Sequence, residues 1–241
     1  MSEKKTLRRE EKNTAAEKEI ICENMSFAAK EAFKRLRSNV IKALESDSLE
    51  GFCPVIGVTS VQPGEGKSMI SVNLSYSMAE LGKKVLLLDA DMRRSSVHEK
   101  LGLKRTPGLS DLLRDNNNVK EAMRSYSGEG ISFDVIPGGA IPKNPSELLN
   151  SRRMEHLLTQ LRTMYDIIVI DLPPVGAVID AVAVSKNVDG MLVVVRENNC
   201  PRNALNDCIS QLKFSDVNIL GFVVNGALEG AGKKYQYSYY Y

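Results

Sequence analysis

The sequence lacks Trp, has only two His and four Cys, and contains no apolar run near the roughly 18 residues that a membrane helix needs. Each scarcity removes a class of protein. Without such a run the chain is not expected to span a bilayer. Its first ten residues, MSEKKTLRRE, are charged and carry no apolar h-region, so a secretory signal is not expected either. Cys22, Cys53, Cys200 and Cys208 match no zinc or CxxC spacing and read as ordinary side chains of a reducing compartment. Neither sign of charge dominates. There are 32 Lys+Arg against 30 Asp+Glu, a net charge of +2, and with no basic stripe nucleic acid is not an expected partner. No internal repeat is present. Against the missing Trp stand eight Tyr, five of them in the last seven residues.

A chain of 241 residues with 43% apolar side chains is long enough for a substantial core. Residues 1–24 are rich in Glu and Lys and show no apolar period, which reads as a mobile extension. A helical period runs from Met25 to Leu44, with Phe27, Ala28, Ala32, Phe33, Leu36, Val40 and Ile41 at three- and four-residue steps. Strands are expected at Pro54–Thr59, Lys84–Asp89, Phe133–Pro137, Asp166–Asp171, Met191–Val195 and Asn218–Val224. Most are continuous Val/Ile/Leu runs, the pattern of strands covered on both faces. Helices are expected between them at Ser68–Leu81, Ser110–Asp115, Pro145–Met164 (with Ser146 as N-cap), Ala177–Lys186 and Asn203–Phe214. This alternation implies an α/β fold with a mostly parallel central sheet flanked by helices. One globular domain would span residues 25–228, followed by a flexible Tyr-rich tail over 229–241.

The segment VIGVTSVQPGEGKS, residues 55–68, is strand, glycine-rich turn and helix start, the context of a P-loop. A plain glycine turn between strand and helix would share the Gly64 and Gly66 spacing, but not the Lys67-Ser68 pair that follows. The backbone around Gly64, Glu65, Gly66, Lys67, Ser68 and Met69 would cradle phosphate oxygens at the helix N-terminus. Lys67 would reach the β- and γ-phosphates, and the Ser68 hydroxyl would be a magnesium ligand. The strict pattern has Gly where this chain has Val61. Two further apolar runs end in carboxylates, VLLLDADMR at Asp89 and Asp91, and IIVIDLPP at Asp171. Ligands of open parallel sheets bind at the carboxyl ends of strands, so these three would converge on the P-loop. Arg93 would meet either phosphate or Asp91. Asn225 is either a turn residue before Gly226 or a reader of the adenine edge, and Asp180 reads as a helix cap.

Together VTSVQPGEGKS, VLLLDADMR, IIVIDLPP and the terminal YQYSYYY resemble the bacterial tyrosine kinases of capsule and exopolysaccharide biosynthesis, over residues 25–241. The resemblance implies a P-loop NTPase-like fold of the MinD/ParA type and an ATP- and Mg²⁺-dependent autokinase. Its acceptors would be Tyr235, Tyr237, Tyr239, Tyr240 and Tyr241. It assigns Lys67, Asp89, Asp91 and Asp171 to catalysis, with Asp89 taking the tyrosine proton, and Ser68, Asp91 and Asp171 to magnesium. It also implies a homo-oligomer, a ring, built through a helix carrying Glu31, Lys34 and Arg37, where Lys34 replaces the family's first Arg and weakens the two-pronged contact. A membrane-embedded co-polymerase would activate the protein at the inner face of the membrane, and a tyrosine phosphatase would oppose it. MinD/ParA-type ATPases carry a signature lysine where this chain has Gln62. A MinD/ParA-like ATPase switch and a non-catalytic, nucleotide-gated scaffold remain the alternatives, and the tyrosine cluster separates them from a kinase. Tyr235 lies ten residues beyond Asn225, a span of at most about 35 Å. That length admits transfer within one chain or between neighbours.

Overall fold

The structure, a computed structural model, describes residues 25–44, 53–115, 118–175, 184 and 186–226. The expected helix over 177–186 falls almost wholly outside these residues, as do Asp180, the N-terminal extension and the tyrosine tail.

The six expected apolar runs all become strands of one seven-stranded sheet. They are β1 (Val55–Ser60), β2 (Val85–Asp89), β4 (Ile131–Ile136), β5 (Ile167–Asp171), β6 (Gly190–Arg196) and β7 (Ile219–Asn225), with β3 (Arg124–Gly128) as the addition. The order is β3-β4-β2-β5-β1-β6-β7. Every pairing is parallel except β3 with β4. β1, β2 and β5 lie at the centre and are buried along their whole length, as their unbroken apolar composition requires. Alternate side chains serve two cores: Leu86, Leu88, Ile168 and Ile170 face one, and Val85, Leu87, Ile167 and Val169 the other. β3 escapes a reading based on apolar runs because its RSYSG alternates between partly and fully exposed positions at the sheet edge.

Eight helices are described: α1 (Phe27–Leu44), α2 (Lys67–Ala79), α3 (Val97–Lys100), α4 (Leu109–Asp115), α5 (Val119–Ala122), α6 (Pro145–Leu149), α7 (Arg152–Arg162) and α8 (Arg202–Phe214). The long helix expected over 145–164 is two. The break falls at Asn150 and Ser151, where the Ser151 hydroxyl accepts the Met154 N–H at 3.3 Å and starts a new first turn. Ser146 is therefore inside α6 and does not cap it. Asn144 precedes Pro145 there and bonds Glu147.

All of α2 except Met69 is buried, because the sheet covers one side and α1 the other. Its Ser71, Asn73 and Ser75 side chains return their polar atoms to the carbonyls of residues 67, 69 and 71. α1 docks through buried Phe33 and Val40 and is pinned by Arg37, whose guanidinium donates to the Ser77 carbonyl and pairs with Glu80 at 3.0 Å. Arg37, expected at a subunit contact, is thus used within the protomer, while Lys34 pairs with Glu31 one turn back at 2.9 Å. No described helix is long and apolar enough to cross a membrane.

Arg37→Ala should release α1 from α2 at a cost of about 1–2 kcal/mol, since a partly buried charged hydrogen bond is lost. Hydrogen exchange should accelerate across residues 27–44 and leave β1, β2 and β5 protected. Unchanged exchange in α1 would show that its apolar face alone holds it.

Candidate active site

The phosphate-type loop begins where β1 ends and closes at the first residue of α2. Gly64 (φ 83°) and Gly66 (φ 94°) both adopt left-handed backbone that other residues rarely accept. A side chain at Gly66 would also collide with the Asn225 carboxamide, while Gly64 has open space beside it. The loop is fastened from behind. The Gln62 N–H donates to the Glu65 carboxylate at 2.9 Å, and the Asn225 side-chain amide donates to the Glu65 carbonyl at 2.9 Å. Glu65 is fully buried, so of the expected cradle its backbone, not its carboxylate, is available to a phosphate.

Parallel register sets the rest. Asp89 lies opposite Asp171 at the carboxyl ends of β2 and β5, and β1 beside β5 delivers the loop to the same rim. The Lys67 ammonium reaches Asp91 at 2.9 Å, Asp171 at 3.3 Å and the Ser68 hydroxyl at 3.2 Å. Burial works to lower the Lys67 pKa, but the charges of Asp171, Asp91 and Asp89 prevail and raise it, so the side chain stays cationic. Asp171 also accepts the Ser71 hydroxyl at 3.0 Å, which fixes both of its oxygens. Ser71 sits one helical turn after Lys67, a spacing from which its place in the site is legible.

Asp89 behaves differently. Its Oδ2 accepts the Ser95 hydroxyl at 2.7 Å and the Val97 N–H at 3.3 Å, and its Oδ1 accepts the Asp91 N–H at 3.2 Å. The carboxyl is completely enclosed. Burial, then the charge of Asp171, pushes its pKa up to about 7, against the Ser95 hydrogen bond and Lys67.

A cavity of about 480 Å³ opens over this rim. Gly64, Gly66, Lys67, Ser68, Met69, Asp91 and Arg93 line it, whereas Glu65, Asp89, Asp171 and Asn225 do not. Pro174, from the IIVIDLPP motif, lines it too, as do Arg94 and Lys100, to which no motif pointed. The net lining charge is positive, which suits a polyphosphate. Ser68 with Asp91 and Asp171 forms a hard oxygen set of the kind magnesium accepts, now gathered around the Lys67 cation. Among the described residues no group of three His, Cys, Asp or Glu side chains is arranged to hold a metal by itself.

The family model described as AAA domain matches residues 53–218. A putative tyrosine-protein kinase in the cps region of Klebsiella pneumoniae is 36% identical over 217 residues, covering 90% of this chain and 29% of that protein. The chain therefore spans less than a third of that relative. Tyrosine-protein kinase YwqD of Bacillus subtilis is 32% identical over 87% of this chain and 85% of its own length. Among solved structures, the kinase domain of the Escherichia coli tyrosine kinase ETK superposes with a TM-score of 0.77, at 33% identity, covering 88% of this chain and 80% of that one.

The raised pKa of Asp89 makes a prediction about stability. A carboxyl at 3.8 when unfolded and about 7 when folded contributes stability that is complete below pH 3.8 and is lost as pH rises through 7. Asp89→Asn removes that slope. Thermal melts from about pH 5 to about pH 8 should show the variant gaining on the parent as pH rises, whatever its offset. Parallel curves would refute the assignment.

Proposed function

The chain belongs to the family of bacterial tyrosine-protein kinases built on the AAA domain, and on that premise we propose that it transfers the γ-phosphoryl group of ATP to tyrosine hydroxyls, including its own Tyr235, Tyr237, Tyr239, Tyr240 and Tyr241. One observation carries the proposal. Asn225, the last residue of β7, hydrogen-bonds the Glu65 carbonyl of the phosphate loop, so the chain leading to the tyrosines departs from the rim where phosphate would lie. An adenine contact by Asn225 would have to share or replace that bond.

In this reading the loop N–H groups and Lys67 hold the phosphates, and Arg93 adds charge at the cavity wall. Ser68, Asp91 and Asp171 would hold Mg²⁺, which supplies charge neutralisation on the phosphate oxygens. Asp89 accepts the tyrosine proton at Oδ1, which takes a long hydrogen bond of 3.2 Å from the Asp91 N–H. Full proton transfer from a phenol of pKa about 10 to an ordinary Asp would cost about 8 kcal/mol. A carboxyl near 7 brings that to about 4 kcal/mol, so transfer late in the reaction suffices. Because Asp89 is enclosed, the reading requires the site to open when substrate enters.

On the same family membership we propose a role in the control of capsular or extracellular polysaccharide synthesis. We propose that it works as an oligomer through the exposed face of α1 with Glu31 and Lys34, at the inner face of the membrane through a membrane-embedded co-polymerase. A tyrosine phosphatase would reverse its modification.

Purified protein given ATP, Mg²⁺ and the activator's cytoplasmic segment should become labelled on tyrosine. Lys67→Met should abolish labelling, and replacing all five tail tyrosines by Phe should abolish tail labelling while ATP still binds. Phosphate released only to water would overturn the kinase assignment in favour of an ATPase.

A further inference from the structure

Resting on the phosphoryl-transfer reading above, we propose that Ser95 and His98 are positioning residues that lock the Asp89 carboxylate through Oδ2 and leave Oδ1 as its proton-accepting atom. The Ser95 hydroxyl meets Asp89 Oδ2 at 2.7 Å, the length of a hydroxyl-to-carboxylate bond. A hydroxyl has one proton, and Ser95 spends it there. Toward His98 Nδ1, at 3.2 Å, the Ser95 oxygen can then only accept. Nδ1 therefore carries the ring proton, and the chain runs in one direction from His98 to Ser95 to Asp89.

Packing enforces the arrangement. Ser95 is 7% exposed and His98 8%. A Cβ on Gly138 would stand 2.8 Å from the Ser95 oxygen, so glycine at that position makes the slot. Burial lowers the His98 pKa; Glu99, 3.8 Å from Nε2, opposes this and the Arg105 charge adds to it. The ring is thus neutral at physiological pH, with a defined tautomer. A turn whose only task was to connect β2 to α3 would not need this chain, because the Asp91 and Val97 N–H groups already tie Asp89 to the loop. The side-chain link does what backbone bonds leave undone and sets the rotation of the carboxylate about its own axis.

The test uses the full-length protein with four variants: Ser95→Ala, His98→Leu, His98→Asn and the Ser95→Ala/His98→Leu double. In ATP titrations of tyrosine labelling, Ser95→Ala and His98→Leu should each lower kcat about 10- to 100-fold and leave KM for ATP within about 2-fold. The double variant should be no slower than the slower single one, because both act through one chain. His98→Asn, whose side-chain N–H takes the place of Nδ1–H, should recover most of the rate. An unchanged kcat in His98→Leu, or equal loss in His98→Asn and His98→Leu, would overturn the proposal.

A second readout needs no activity. The sequence has two histidines, so ¹⁵N spectra of the rings assign by comparison with His98→Leu. The parent should show His98 protonated at Nδ1, and Ser95→Ala should lose that preference. A bare Nδ1 in the parent overturns the chain even if the kinase reading holds. An Nδ1–H with no tyrosine labelling at all would instead condemn the kinase reading.

Discussion

One ammonium group, Lys67, stands among three carboxylates at the carboxyl ends of adjacent strands, and the remainder of the site is arranged around that imbalance. Three ionised carboxyls against a single cation in a dry setting would leave excess negative charge, which low dielectric makes costly. The protein relieves it in two ways. Asp171 is sheathed by Ser71 and Lys67, and Asp89 is pushed toward its neutral form. A divalent ion entering with nucleotide would complete the balance from outside. The ground state is thus charge-deficient in a direction that favours a divalent ion, and in the proposed reaction the same deficit would prepare Asp89 to take a proton.

The scaffold exists to hold this geometry. β1, β2 and β5 are the three most deeply buried strands, and they are the ones that deliver the loop, Asp89 and Asp171. α2 starts with Lys67 and runs between sheet and α1, so it can hardly shift without disturbing both cores. Precision at the rim is inherited from packing at the centre.

Much of this was legible in the residues. VIGVTSVQPGEGKS, VLLLDADMR and IIVIDLPP are local patterns, and parallel register does the rest by bringing strand ends together. The site's inner face was not legible, because it depends on contacts remote in sequence. Nothing in the spacing of Ser95 and His98 announces a chain to Asp89, for the slot is made by Gly138, more than forty residues away. Asp89 and Asp91 look equivalent in DAD, yet Asp89 ends β2 enclosed by Ser95 and the Val97 N–H, whereas Asp91, two residues beyond the strand's end, lines the cavity. Arg37 looks like a surface cation on its helix until α2 supplies Ser77 and Glu80. Polar edge strand β3 and the break at Ser151 were hidden for a simpler reason: neither interrupts or creates an apolar period.

The bond from Asn225 to the Glu65 carbonyl joins the end of β7 to the glycine-rich loop. Since the backbone of residue 225 is also paired into the sheet, a pull on the chain that follows arrives at a fixed point. From that point the Asn225 side chain reaches the Glu65 carbonyl and lies against Gly66. Tension on the tyrosine segment, such as a neighbouring molecule would exert by capturing it, would be felt first at the phosphate loop. If that segment is the acceptor, the loop would act as a strain gauge for it.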